Sequence, residues 1–267
     1  MSDQNKVPAV VIFQRAWGLY KHAFTRLFPI AFATFALMAL YKYTIMTQFA
    51  SSSSVKKAIT AIVISQLVFI CILAFSQNAQ LFTLKERYMN ADTPFSAIAK
   101  NSAARFISML VLTLILFVVI QLIAGFAARL VAAVLPSAII LIYLLIVLIS
   151  VSFVFFAPCI LLFEKQSIIK SILLSIQRSK PIWRSNFFLL LPPLLAYMLL
   201  TSILTNINLS VESLSAAGLG VEEVITIFAD AAIFPFLMTL IFTQYTHYLP
   251  KTKSTQEEQN NNDDPLA

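Results

Sequence analysis

The chain predicts an all-α polytopic membrane protein: six transmembrane helices with amphipathic cytoplasmic elbow helices. Three observations carry this. The 267 residues contain six charge-poor apolar runs of the length a helix needs to cross a bilayer, about 20 residues each. The composition is 59% hydrophobic and 12% charged, with a mean hydropathy of +0.84, too apolar for a water-soluble domain of this size. The Lys and Arg residues alternate in density from one end of each run to the other, as membrane topology requires. The formal charge of +7 comes from cations flanking apolar runs, with no basic domain interleaved with aromatics, so nucleic acid is not an expected partner.

In chain order, the spans are expected at Leu27 to Met46, Ile59 to Leu81, Phe106 to Ala127, Ser137 to Leu162, Asn186 to Thr205 and Val224 to Tyr245. Each must be helical, because lipid offers no partner for an unbonded backbone group. The fourth starts at Ser137 because Pro136 and Ser137 suit a turn. The domain division is then a cytoplasmic amphipathic segment (residues 1–26), a transmembrane domain (27–249) and a disordered cytoplasmic tail (250–267), the tail being polar and without apolar residues to bury. Four cations precede span one, four lie between spans two and three, five between four and five, and two follow six. These fifteen of the nineteen share one side, which predicts cytoplasmic termini; Lys42, Lys56, Lys57 and Arg129 lie opposite. The amino terminus lacks the short apolar core and cleavage site of a signal peptide.

Each odd-numbered span is preceded by an amphipathic segment, which reads either as three repeated units of elbow plus hairpin or as the basic, amphipathic interface common to loops that re-enter a membrane. In the first elbow Phe13, Trp17, Tyr20, Phe24 and Leu27 recur at helical spacing, with Arg15, His22 and Arg26 on another face. In the second, Thr93 is the expected N-cap before Pro94, and Phe95, Ile98 and Phe106 oppose Lys100 and Arg105. In the third, Ser167 is the expected N-cap, Ile169, Ile172, Leu173 and Ile176 form the apolar stripe, and Lys170 and Arg178 are polar. Arg15, Arg26, Lys100, Arg105 and Lys170 are therefore candidate contacts for anionic lipid headgroups.

The stretch Ala157-Pro158-Cys159-Ile160-Leu161-Leu162-Phe163-Glu164, continuing through Ser171, Ser175, Arg178 and Trp183, resembles the bacterial inner-membrane proteins of the YciC-like family. It is also similar to the membrane domain attached to some glycerophosphodiester phosphodiesterases. Ile12 to Phe24 resembles the family's aromatic and basic amino-terminal helix. The resemblance implies a six-helix protein of the bacterial inner membrane and no particular activity.

Chemistry-bearing residues are sparse. His22 and His247 stand at opposite ends of the chain without Cys or carboxylate companions, so no metal or haem site is expected. Gly218-Leu219-Gly220 lacks the remaining residues of a phosphate-binding loop, and Ser51 to Ser54 have no base beside them. Cys71 and Cys159 fall within spans and read as buried thiols. No enzyme activity, cofactor or metal is expected.

Two charges fall inside spans. Asp230 lies about 9 Å and Lys42 about 6 Å from the outer ends of their helices at the helical rise per residue. They read either as snorkelling or wetted side chains, or as a buried ion pair between the first and last helices, or as a proton or cation site. Gln66, Gln77, Asn78 and Gln121 are expected to hydrogen-bond between helices, and Pro158, Pro192, Pro193 and Pro235 to bend them. The leading functional expectation is a non-catalytic, envelope-associated or membrane-structural protein touching anionic lipid through its elbows. The alternative is a transporter or lipid-handling protein.

Overall fold

The structure, a computed structural model, describes residues 8–50, 55–91, 93–132, 139–206 and 221–262. Ser51 to Ser54, Ser137, Gly218 to Gly220 and residues 263–267 lie outside the described residues. Among the described residues the chain is helical without strands: α1 (Ala9–Ala50), α2 (Val55–Tyr88), α3 (Phe95–Ala104), α4 (Phe106–Ala132), α5 (Ile139–Phe153), α6 (Ala157–Phe163), α7 (Ile168–Ser179), α8 (Trp183–Asn206) and α9 (Val221–Asn262). A 3-10 turn at Lys180–Ile182 joins α7 to α8. Six stretches are long and apolar enough to cross a membrane: Ala9–Thr44, Ile59–Tyr88, Phe106–Val131, Ile139–Phe163, Ile168–Ser202 and Glu223–Tyr248. This is the architecture of a multi-pass membrane protein.

The spanning helices pack in chain order and close on themselves. α1 meets α2, α2 meets α4, α4 meets α5, α5 meets α8, α8 meets α9, and α9 returns to α1 along the broadest of these seams. Fully buried alanines, among them Ala16, Ala23 and Ala31 on α1, Ala74 on α2 and Ala231 on α9, let the helices approach closely. Outward-facing Leu122, Phe126, Ile140 and Leu141 are exposed, as side chains meant for acyl chains should be.

Three expectations change. The first elbow is no separate helix: α1 runs unbroken from Ala9 through Ala50, 42 residues or about 63 Å. Nothing between Phe24 and Leu27 stops a helix, and Pro29 lies inside it. The predicted face packs on the last helix instead. Phe13, Trp17 and Tyr20 all meet the Phe236 ring edge-on, at centroid distances of 5.2, 5.6 and 5.4 Å. The Tyr20 hydroxyl donates to the Ala232 carbonyl at 2.9 Å.

The fourth span is two helices, α5 and α6, separated at residues 154–156. Pro158 sits in the first turn of α6; it lacks a backbone donor, and its ring displaces the carbonyl four residues earlier. Finally, α9 continues to Asn262 where an unstructured tail is expected from residue 250. Lys, Gln and Glu are good helix formers, and extension of an existing helix carries no nucleation cost.

The second elbow is α3, with Pro94 and not Thr93 at its N-cap. The Thr93 hydroxyl is turned to the Glu86 carboxylate, and its carbonyl accepts from Arg26 Nη1 at 2.8 Å. The third elbow, α7, has Ser167 at its N-cap as expected, although the side chain makes no capping bond. The turns leading into α3 and α7 each contain a residue in left-handed backbone conformation, Asn90 (φ 53) and Lys165 (φ 54). Asn tolerates this region; Lys165 does so at a cost of about 1 kcal/mol.

Candidate functional site

A break at membrane depth exposes backbone groups that must find partners. Several of those around residues 152–157 can be traced. The Phe156 N–H donates to Ser175 Oγ at 3.0 Å, and the Ser175 hydroxyl donates to the Phe153 carbonyl at 3.4 Å. One serine on α7 thus accepts from one lip of the break and donates to the other. The Ser152 carbonyl accepts from Asn186 Nδ2 of α8 at 3.0 Å, and the Ala157 N–H turns back to the Val154 carbonyl at 3.1 Å. Asn186 Oδ1 accepts in turn from Gln244 Nε2 of α9 at 3.3 Å. Ser152, Ser175, Asn186 and Gln244 are all buried. Side chains of α7 and α8 therefore bond to the break, and Gln244 of α9 holds one of them, Asn186, from behind.

An ionic clasp lies beside it. Glu164 caps the end of α6, and both of its carboxylate oxygens are held by Arg178 near the end of α7, through Nη1 to Oε1 and through Nη2 to Oε2 at 3.1 Å. The Tyr245 hydroxyl of α9 donates to the same Oε1 at 3.1 Å. Such a forked arrangement satisfies the planar guanidinium and the carboxylate together. Around it Phe163 meets Phe82, Phe242 and Tyr245, Phe156 meets Tyr245 and Tyr248, and Lys85 Nζ stands 5.5 Å from the centre of the Phe163 ring.

The sequence-singled residues Pro158, Glu164, Ser171, Ser175, Arg178 and Trp183 therefore converge. Pro158 makes the break, Ser175 bridges it, and Glu164 with Arg178 ties α6 to α7. Ser171 is buried and donates to the Ser167 carbonyl of its own helix at 2.9 Å. Trp183 stacks on Phe153 at 5.9 Å and 16°, covering the end of α5. Compared with known family models, curated proteins and solved structures, the chain matches none.

The α7 surface is inverted relative to a soluble protein. Ser171, Ser175 and Ser179 form its fully buried face, while Ile169, Leu173 and Ile176 of the predicted apolar stripe are exposed. Four-residue spacing puts the serines in one row, which lets α7 approach α6 closely.

The expected pair of Lys42 with Asp230 does not form. Lys42 is exposed, and among the described residues no ion pair joins the two. Asp230 lies near the Tyr197 hydroxyl of α8. The first and last helices are joined by their aromatic seam and by Arg15 Nη1 against His247 Nδ1 at 3.1 Å. Of the headgroup candidates, Arg15 and Arg26 thus have partners inside the protein, while Lys100 and Lys170 are exposed and Arg105 is half-buried at the end of α3. Gln77 accepts from Thr113 at 3.2 Å, Gln121 accepts from Tyr143, and Asn78 donates to the Ser102 carbonyl at 3.2 Å. Gln66 is exposed. Among the described residues no group of three His, Cys, Asp or Glu is placed to hold a metal.

Sequence reasoning missed Asn186 and Gln244, which are 58 residues apart and carry no local pattern. It also missed Thr34, Ser76 and Gln80, a buried chain in which Thr34 donates to Ser76 at 2.9 Å and Gln80 to Ser76 at 3.0 Å.

Proposed function

We propose that this chain is a non-catalytic, multi-pass protein of the bacterial inner membrane, with cytoplasmic termini, that organises the membrane through lipid contacts at its basic elbow end. The observation that carries this reading is α7, with serines inside and isoleucine and leucine outside. A helix built that way gains apolar burial only if its outer face meets lipid, and Lys170 on it lies within reach of headgroups. The break supports the same reading, since Ser175 and Asn186 occupy backbone groups that a carrier's broken helix leaves for substrate or ion. The YciC-like stretch from Ala157 to Trp183 supports placement in the inner membrane.

Sidedness is tested by an impermeant thiol reagent in a background lacking Cys71 and Cys159. Lys42→Cys should label from outside intact cells and Lys100→Cys only after permeabilisation; the reverse pattern would overturn the orientation. For lipid contact, Lys100→Gln, Arg105→Gln and Lys170→Gln are combined. Each cation contributes on the order of 1 kcal/mol near an anionic surface, so retention of anionic lipid should fall roughly tenfold to a hundredfold. Thermal stability in neutral detergent should hold. Unchanged retention would reject the lipid-contact reading.

A transporter or lipid-handling role is the second reading, favoured by Asp230, a half-buried carboxyl within a spanning helix beside Tyr197. Solute flux in proteoliposomes that is lost in Asp230→Asn and untouched by the elbow substitutions would put this reading first.

A further inference from the structure

We propose that Arg87, at the end of α2, seats the phosphate of an anionic phospholipid headgroup. The proposal rests on the lipid-contact reading above and narrows it to one residue. Arg87 follows the fully buried Leu84 by one helical turn, so its stem continues the core-facing side of α2. Its Nε is buried and makes no hydrogen bond among the described residues. A guanidinium stays charged and offers five donors, so a buried donor without an acceptor is a costly arrangement unless an anion arrives.

No ion pair joins Arg87 to a carboxylate among the described residues. Glu86 holds the Thr93 hydroxyl, and Glu164 holds Arg178 and Tyr245. Lys85, two residues before Arg87, stands over the Phe163 ring. The last turn of α2 thus carries two cations, Lys85 and Arg87, against the one carboxylate of Glu86. Beside Arg87, Tyr88 and Met89 are 57% and 64% exposed, an apolar shelf next to the cation. A ligand with a phosphate and an apolar body fits both features, and a guanidinium can grip two phosphate oxygens at once.

The test compares the full chain with Arg87→Gln and Arg87→Lys in neutral detergent, with and without added phosphatidylglycerol, and with inorganic phosphate at millimolar concentration. Phosphatidylglycerol binding should weaken about tenfold in Arg87→Gln and less in Arg87→Lys. Without lipid, Arg87→Gln should be as stable as the parent or more so, because it removes an unmatched buried donor; with lipid the order should reverse. Equal destabilisation in both conditions would make Arg87 a structural residue and overturn the seat. Stabilisation by inorganic phosphate equal to that by phosphatidylglycerol would assign the site to a free anion and overturn the lipid. Normal phosphatidylglycerol binding in Arg87→Gln, with loss in the Lys100, Arg105 and Lys170 variant, would overturn the seat while leaving the lipid-contact reading in place. Absence of any anionic preference in the parent would overturn both.

Discussion

Ser175→Ala is expected to destabilise the folded protein by about 2–4 kcal/mol, a large loss for removal of one hydroxyl. The alanine fits the seam but withdraws the acceptor of the Phe156 N–H and the donor to the Phe153 carbonyl together. Each buried group left unsatisfied costs about 1–3 kcal/mol, and lipid supplies no substitute. Ser175→Leu should lose more, because a leucine forced into a fully buried position also drives α7 from its neighbours, a further loss of about 1–3 kcal/mol. Ser171→Ala is the internal control. Its hydroxyl donates only to the Ser167 carbonyl, which already accepts the Ser171 N–H at 2.8 Å, so its removal should change stability by about 0.5 kcal/mol or less. Reversible unfolding in mixed micelles measures all three. Equal effects of alanine at 171 and 175 would mean that Ser175 does not bridge the break.

The contrast between those serines shows what was legible in the sequence and what was not. Apolar run length and cation spacing were sufficient to predict six spans, because both follow from bilayer thickness and charge cost and need no tertiary information. Pro158 was visible as a bend, and Ser171, Ser175 and Arg178 were visible as positions on an elbow helix. That Ser175 faces the break while Ser171 closes a bond within its own helix depends on where α7 docks, which no local period encodes. The same applies to Asn186 and Gln244: a lone amide in an apolar run says that a partner is needed and not which one. Of the alternatives for Lys42 and Asp230, the ion pair does not form for a related reason. Similar depth on two helices is necessary for pairing, but helix rotation decides it, and rotation turned Asp230 to Tyr197 and Lys42 outward. The first elbow was misread because an aromatic stripe suits a membrane interface and a helix seam equally well.

Arg178→Met is the other substitution from which a large effect is expected. Glu164 and Arg178 are 20% and 21% exposed, so most of each charge is out of water. Removing the arginine leaves a carboxylate whose remaining named contact is the Tyr245 hydroxyl. Breaking a fully buried pair costs about 3–5 kcal/mol; partial exposure places this one nearer 2–3 kcal/mol. Glu164→Gln should cost less, because the released guanidinium has a long stem and can turn outward to a polar surrounding, an escape the short-tethered carboxylate at the end of α6 lacks. Arg178→Lys should recover only part of the loss, since an ammonium cannot match both carboxylate oxygens. In a double-mutant cycle, Arg178→Met combined with Glu164→Gln should be better tolerated than the sum of the two, with a coupling of about 1–2 kcal/mol. The clasp ties α7 to the second half of the broken span, so the arginine variant should also expose Cys159, now fully buried, to thiol reagents faster than the parent does. Additive losses, with the Cys159 labelling rate unchanged, would show that the elbow is held by its serine seam alone.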